Sequence, residues 1–299
     1  MLSVLLPTYN CPVEKLVIQL STQLQNENVD WEIRCYEDGS SIENYELNKQ
    51  SIAHLPHVIH FLQEKNSGRA AIRNKLAMDA TYPIILFIDS DMQCISSTYI
   101  SDYLKHINDA DAIYGGVSYN LVSPESDKIL RWKYGHQREM VKAGKRELKP
   151  YLSLKTCNLL IKKEVILSNP FDERLKKYGH EDTLHALKLS KQNVSVKHID
   201  NELQHLGIEE TDVFLSKTKM AMQNLALIMN DPNSCEQLHD ITIVKFYSKI
   251  KKYHISNFLL FAFFMTEPLI IFNLKSKYPF LFMFDAYKLG YLIKACNEM

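Results

Sequence analysis

Closely spaced carboxylates are the residues of this chain best suited to chemistry. Asp89-Ser90-Asp91 closes a short apolar run, Ile84 to Ile88. Residues two apart in extended chain project to the same side, so the two acids can converge on one cation. A hard divalent metal held there can in turn hold a phosphorylated ligand. A second pair, Glu181-Asp182, lies within Tyr178-Gly-His-Glu-Asp-Thr183. With His180 and His185 beside it, this stretch hints at a zinc-protease helix. That motif needs its histidines at i and i+4, whereas these stand at i and i+5, and the zinc reading is rejected. At a helix start, two acids also complement the helix dipole. Asp109-Ala-Asp111 repeats the D-x-D spelling in what reads as a surface turn, so spelling alone does not define a site.

The elements needed to position these residues follow from periodicity. Ser3 to Leu6 reads as a strand, and Leu16, Leu20 and Leu24 recur at helical spacing behind it. Trp31–Tyr36 is a second strand, followed by the turn-rich Glu37-Asp-Gly-Ser-Ser41 and a polar helix over 42–53. Val58–Leu62 is a third strand. Asn66-Ser-Gly68 opens a helix with Ile72, Leu76 and Ala80 inward, and the strand 84–88 follows. Strands alternating with helices over the first 118 residues predict βαβ units, a mostly parallel central sheet flanked by helices. Right-handed crossovers then bring the loops at 7–10, 37–41, 66–73 and 89–91 to one sheet edge, where ligands of open α/β sheets bind.

Further along, Ala112–Tyr119 predicts one strand with Gly115-Gly116 as a bulge or close approach. Residues 120–150 read as a basic-aromatic helical insertion in which Trp132, Tyr134 and Arg138 can contact a sugar or simply pack. Strands are expected at 152–161, 194–198 and 202–206, and helices at 181–191 and 211–229.

Composition narrows the class. The 299 residues are 46% hydrophobic and 23% charged with zero net charge, so no global field recruits nucleic acid. Six scattered cysteines without a C-x-x-C pair suit reduced thiols of a cytoplasmic protein. The apolar start lacks a basic n-region and is cut by Pro7, which argues against a secretory signal. Neither G-x-G-x-x-G nor a P-loop occurs.

Taken in order, Pro7-Thr8-Tyr9-Asn10, Glu37-Asp38-Gly-Ser40, Asn66-x-Gly68 with Arg73-Asn74, Asp89-Ser90-Asp91 and Glu181-Asp182 resemble the family 2 glycosyltransferases of GT-A fold. The resemblance covers about the first 210 residues. It implies a nucleotide-diphospho-sugar donor, UDP-linked, and transfer with inversion to a hydroxyl of a glycan or lipid-linked acceptor. Thr8 and Tyr9 then offer backbone groups and a ring face to the nucleobase, and Asp38 accepts from a uracil imide, or else caps the helix at 42. Arg73 reaches the diphosphate in a bidentate manner. By resemblance Asp91 ligates Mn²⁺ or Mg²⁺, Asp89 contacts ribose or metal, and His205 or His198 completes the metal site. Asp182 is the general base, with Glu181 as alternate. A sugar-phosphate nucleotidyltransferase, or a non-catalytic member that binds sugar nucleotide or anchors at a membrane, are the competing readings.

The expected organisation is a GT-A domain over 1–232, with nucleotide-binding (1–118) and acceptor-binding (119–232) halves, and a helical extension over 233–299. Residues 240–299 carry eight Lys against two Asp and two Glu, a charge of +4, among many aromatics. That pattern suits a helix lying peripherally on the inner, anionic membrane face. A helical subdomain is the other reading. The run from Phe258 is broken by Glu267 and Pro268 and is expected to fall short of a membrane span.

Overall fold

The computed structural model describes residues 1–175, 178–231, 238 and 240–299; the boundary expected between 232 and 233, in Pro232-Asn-Ser234, and Cys235 lie outside them. The chain divides into two compact units. The first comprises Met1–Asn120, Met140–Lys176 and Glu181–Gly207; the second comprises Leu121–Glu139, Lys177–His180 and Ile208–Met299.

The first unit begins with β1 (Leu2–Thr8), α1 (Glu14–Gln25), β2 (Trp31–Asp38), α2 (Ile42–Ile52), β3 (Val58–Gln63), α3 (Arg69–Asp79) and β4 (Ile84–Ile88). Leu2 to Leu6 and Ile85 to Ile88 are buried without alternation, as interior strands covered on both faces require. In α1 the buried Leu16, Leu20 and Leu24 form the inward stripe. Ser41, not Asp38, caps α2, its hydroxyl accepting from the Asn44 N–H at 3.3 Å. β1 pairs in parallel with β2 and β4, and β2 with β3, so their C-terminal ends share one edge.

Next along the chain come β5 (Met92–Cys94), α4 (Tyr99–His106), β6 (Ala112–Tyr114), β7 (Val117–Ser118), α5 (Ile129–Tyr134, of the second unit), α6 (Ala143–Arg146), α7 (Pro150–Ser153) and β8 (Asn158–Lys162). After them come α8 (Lys163–Ser168), α9 (Glu181–Lys191), β9 (Val196–His198) and β10 (Leu203–His205). The seven-stranded sheet runs β3-β2-β1-β4-β8-β6-β9, and a three-stranded sheet runs β5-β10-β7. The core under the larger sheet joins Leu5, Phe87, Leu159 and Ile161 to Leu76 of α3 and Leu189 of α9. At about 1.5–3 kcal/mol for each large apolar side chain, this burial is what holds the strand ends in place.

Two expectations change. The strand predicted over 112–119 is two strands in different sheets, and Gly115-Gly116 is the crossing point rather than a bulge. Gly116 has φ +92°, and a Cβ there would lie 1.9 Å from the Arg146 guanidinium. Arg146, buried, donates to the Ile199 carbonyl at 2.6 Å, so the glycine makes room for a side chain from the insertion. The strand predicted over 152–161 begins only at Asn158, because Pro150 starts a helical turn, and it is antiparallel to both β4 and β6.

The second unit holds α5 with α10 (Thr211–Asn230), α11 (Thr242–Lys252), α12 (Ser256–Leu274) and α13 (Leu281–Asn297). α13 packs on α10, α11 and α12. Tyr134 packs against Phe214 and Phe284 in tilted and edge-on contacts, and the exposed Arg138 pairs with Asp285 at 3.0 Å. α12 continues through Pro268 for 19 residues, so among the described residues one helix is long and apolar enough to cross a membrane, which corrects the expectation of a broken run.

Candidate active site

The site lies at the C-terminal edge of the parallel strands. Asp38, the last residue of β2, is buried and serves as an acceptor hub. Its Oδ1 accepts from the Ser67 N–H (2.7 Å), the Ser67 hydroxyl (2.8 Å) and Gln63 (3.2 Å), and its Oδ2 from the Gly68 N–H (3.0 Å). Asn66 donates back to the Asp38 carbonyl at 2.9 Å. These bonds fix the start of α3, where Gly68 takes φ +94°, a conformation that favours glycine. With four lone-pair sites on a carboxylate, Oδ2 keeps room for one further donor.

The preceding loop is tied down in the same way. Asn10, at φ +46°, accepts from the Ser41 N–H (2.8 Å), and its own N–H donates to Ser40 (2.9 Å). Buried Glu37 collects Ser40 (2.5 Å), Asn48 (2.7 Å) and His60 (3.2 Å). Burial pushes the Glu37 carboxyl up, but these hydrogen bonds outweigh it and hold the group below the usual carboxylate range. Pro7 and Thr8 end β1, with Thr8 buried, and Tyr9 stands exposed at the edge.

Asp89 and Asp91 have unlike surroundings. Asp89 receives Arg73 at 2.7 Å and Arg69 at 2.9 Å. Burial alone would raise its carboxyl, but the two guanidinium charges hold it below its ordinary range. Asp91 is more open, and Oδ2 lies 3.4 Å from His205 Nε2. The pairing that produces this is β5 against β10, with Met92 opposite His205. Gly207 completes the approach, since a Cβ there would sit 2.5 Å from Asp91 Oδ2. Ser90 lies between the two acids, half-buried. His198 is engaged elsewhere: its Nε2 lies 3.0 Å from the Pro150 carbonyl, and its ring packs edge-on against Tyr114.

Among the described residues no three His, Cys, Asp or Glu side chains form a cluster able to hold a metal on their own. The Asp91–His205 pair supplies one carboxylate and one imidazole. His205 Nδ1 is buried with no hydrogen-bond partner among the described residues. Such a donor set fits Mn²⁺ or Mg²⁺ completed by phosphate oxygens.

Glu181 and Asp182 begin α9 and also differ. Buried Glu181 faces Arg69 (3.2 Å) and Arg73 (3.9 Å). Half-buried Asp182 accepts from the Thr156 hydroxyl at 2.5 Å. Thr156 stands just before β8, whose antiparallel pairing sets Asn158 opposite Ile88 and lets the Asp89 N–H donate to the Cys157 carbonyl at 3.3 Å.

Arg73 differs from the expectation of a residue reaching a ligand. It is 1% exposed and lies beneath Asp89, while Arg69, one helical turn earlier, occupies the more open position with 42% of its side chain accessible. Sequence reasoning missed Arg69, Ser67, Thr156 and Gly207. Arg69 alone carried a signal, standing directly after Gly68 at a helix start, where a phosphate is well placed.

A mostly parallel sheet with an acidic pair at its edge, a clamped loop–helix junction and a second acidic pair on α9 define the nucleotide-sugar transferase class of GT-A fold. The description "Glycosyl transferase family 2" matches residues 3–161, more than half of the chain, and the chain belongs to that family and is a glycosyltransferase. No curated protein is significantly similar to it in sequence. Solved structures share the fold. The mannosyltransferase PcManGT from Pyrobaculum calidifontis, in complex with GDP-Man and Mn²⁺, is 12% identical with a TM-score of 0.58, over 99% of this chain and 86% of that one. S. aureus TarS 1-349, in complex with UDP-GlcNAc, is 17% identical with a TM-score of 0.52, over 80% and 68%. Glucosyl-3-phosphoglycerate synthase from Mycobacterium tuberculosis, with Mn²⁺, UDP-glucose and glycerol 3-phosphate, is 15% identical with a TM-score of 0.52, over 77% and 79%.

Proposed function

We propose that this chain is an inverting, metal-dependent glycosyltransferase that moves a sugar from a UDP-linked donor to a hydroxyl of a glycan or lipid-linked acceptor. The observation that carries the reading is the unlike pairing of the two acids on α9. Glu181 lies within ion-pair distance of Arg69 and Arg73, whereas among the described residues Asp182 feels the Arg73 charge without an ion pair to it and accepts a hydrogen bond from Thr156. Asp182 is therefore the acid suited to take the acceptor proton. The acceptor oxygen attacks the anomeric carbon, the bond to the diphosphate oxygen breaks, and configuration inverts.

Asp91 and His205 would hold Mn²⁺ or Mg²⁺, which supplies charge stabilisation for the leaving diphosphate. Arg69, above Asp89, adds positive charge on the same side, an electrostatic contribution of the kind that dominates such reactions. Asp89 positions both arginines and borders the ribose. Pro7, Thr8, Tyr9, Asp38, Asn66, Gly68 and Ser90 form the nucleotide side.

The glycosyltransferase domain is drawn at 1–232, with α10 and residues 121–139 packing in the second compact unit, and 233–299 is a helical extension touching membrane from the cytoplasmic face. A nucleotidyltransferase is disfavoured because Pro7-Thr-Tyr-Asn10 is not a glycine-rich loop. The test is release of nucleoside diphosphate from a panel of UDP- and GDP-sugars, with acceptors added, in Mn²⁺ and in chelator. Acceptor-dependent, metal-dependent release from a UDP-sugar supports the reading; pyrophosphate release from nucleoside triphosphate and sugar phosphate replaces it.

A further inference from the structure

Helix α12 is apolar on every side, yet only one side is used. Phe263, Ile270 and Leu274 bury in a cluster with Phe284 and Tyr287 of α13. On the other side Phe258, Phe261, Met265, Leu269 and Phe272 follow spacings of three, four, four and three, which align on one helical stripe. Each is 65–78% exposed. A soluble surface rarely carries so continuous an apolar strip without a partner.

The polar side chains in the middle and at the end of the helix are bonded within the protein. Glu267 accepts from the Tyr291 hydroxyl of α13 at 2.5 Å. The Thr266 hydroxyl donates to the Ala262 carbonyl at 2.8 Å, and Asn273 accepts from the Phe280 N–H at 3.0 Å. Pro268 has no N–H to leave unpaired. The stripe from Phe258 to Phe272 itself carries only apolar side chains, the kind of surface a lipid phase accepts.

The two ends of the stripe differ from its middle. Lys251, Lys252, Tyr253 and His254 are exposed just before α12, and Lys275, Lys277 and Tyr278 just after it. Lys275 pairs with Asp212 at 2.6 Å. Lysine and tyrosine are the residues that reach from a buried stem to phosphate headgroups.

We propose that α12 is a monotopic membrane face, lying in the plane of an anionic bilayer with Phe258, Phe261, Met265, Leu269 and Phe272 among the acyl chains and the flanking lysines on headgroup phosphates. The proposal rests on the membrane contact in the reading above and gives it a surface, an orientation and a lipid chemistry. A spanning helix is disfavoured because α13 packs along α12 and carries Asp285, Lys288 and Lys294, charges that would enter the hydrocarbon. A second copy is disfavoured because both ends are basic. Either two-fold apposition of two stripes therefore sets lysine against lysine.

The test uses the full chain with vesicles of phosphatidylcholine, alone or mixed with phosphatidylglycerol, read by co-sedimentation. Binding to the anionic vesicles is expected, weakened by salt and by loss of phosphatidylglycerol. Phe261→Ser with Phe272→Ser should lower the partition coefficient at least about tenfold. Lys251→Gln with Lys252→Gln and Lys277→Gln should remove the preference for anionic lipid. Circular dichroism and the nucleotide-induced thermal shift, unchanged in both variants, separate loss of docking from loss of fold or donor site. Equal recovery with and without vesicles overturns the proposal. So does a dimer in lipid-free solution that the phenylalanine variant dissolves, which would assign the stripe to a second copy. Accessibility of α12 from both sides of sealed vesicles would make it a span instead.

Discussion

Arg73 Nη2 lies 2.7 Å from Asp89 Oδ1, with the side chain 1% exposed, Nη1 3.9 Å from Glu181 and Cζ 5.8 Å from the centre of the Phe171 ring. A charge this deep is tolerated because two carboxylates share it. Burial works against the Arg73 charge most strongly, and Asp89, Asp182 and Glu181 together more than restore it. The acidic pair of the sheet edge is thus organised from beneath, and Asp91 is left to face outward.

Arg73→Met should leave Asp89 and Glu181 to the more exposed Arg69 alone and destabilise the chain by up to about 3–5 kcal/mol, the cost of removing one partner of a buried pair. Urea unfolding measures it. An unchanged midpoint would mean that Arg73 is not the support of this site.

Asp182→Asn is expected to lower kcat by roughly 10²–10⁴-fold with nucleotide affinity retained, as loss of a general base does. Thr156→Val, which removes the hydroxyl 2.5 Å from Asp182, should lower kcat with little change in KM. Glu181→Gln should act mainly on stability, through Arg69 and Arg73. Persistent turnover in Asp182→Asn would move the base role to another residue.

Chelation, Asp91→Ala and His205→Ala should each remove the Mn²⁺-dependent part of nucleotide affinity, by about tenfold or more. Calorimetric titration of UDP with and without Mn²⁺ reads this directly. Equal affinities in all four conditions would remove the metal from the reading.

His185, buried on α9 against Phe171 at 4.2 Å, has its pKa lowered by burial to about 4. Its folded value lies below the unfolded one near 6.5, so the unfolded chain takes up the proton first. Stability from this group is complete above the unfolded value and is lost as pH falls from there to about 4, by about 3 kcal/mol in all. His185→Leu should therefore show a smaller drop in urea midpoint between neutral and acid buffer than the native chain. Parallel curves would place the titration elsewhere.

Much of this molecule is written locally. Continuous apolar runs specify β1 and β4, the Leu16–Leu20–Leu24 spacing specifies α1, and alternation with helices brings the acidic pair, Asp38 and Gly68 to one edge, because parallel crossovers leave no other arrangement. The motif order was sufficient for the family, and the lysine–aromatic composition beyond residue 240 was sufficient to mark that stretch as unusual.

Local pattern could not separate residues that share a spelling. Asp89 and Asp91 differ only because α3 turns Arg73 and Arg69 toward one, while β10, from more than a hundred residues later, sets His205 beside the other. Glu181 and Asp182 are neighbours in the chain. Their roles part because the antiparallel β8 delivers Thr156 to one, and α3 delivers arginine to the other. Gly115-Gly116 read as a bulge or a close approach, and what approaches them, the Asn201 carbonyl and the Arg146 side chain, lies thirty residues or more away in sequence. Sequence determines which side chains are available and which way each strand points; charge and burial are properties of what long-range pairing brings alongside, and only the tertiary structure decides those.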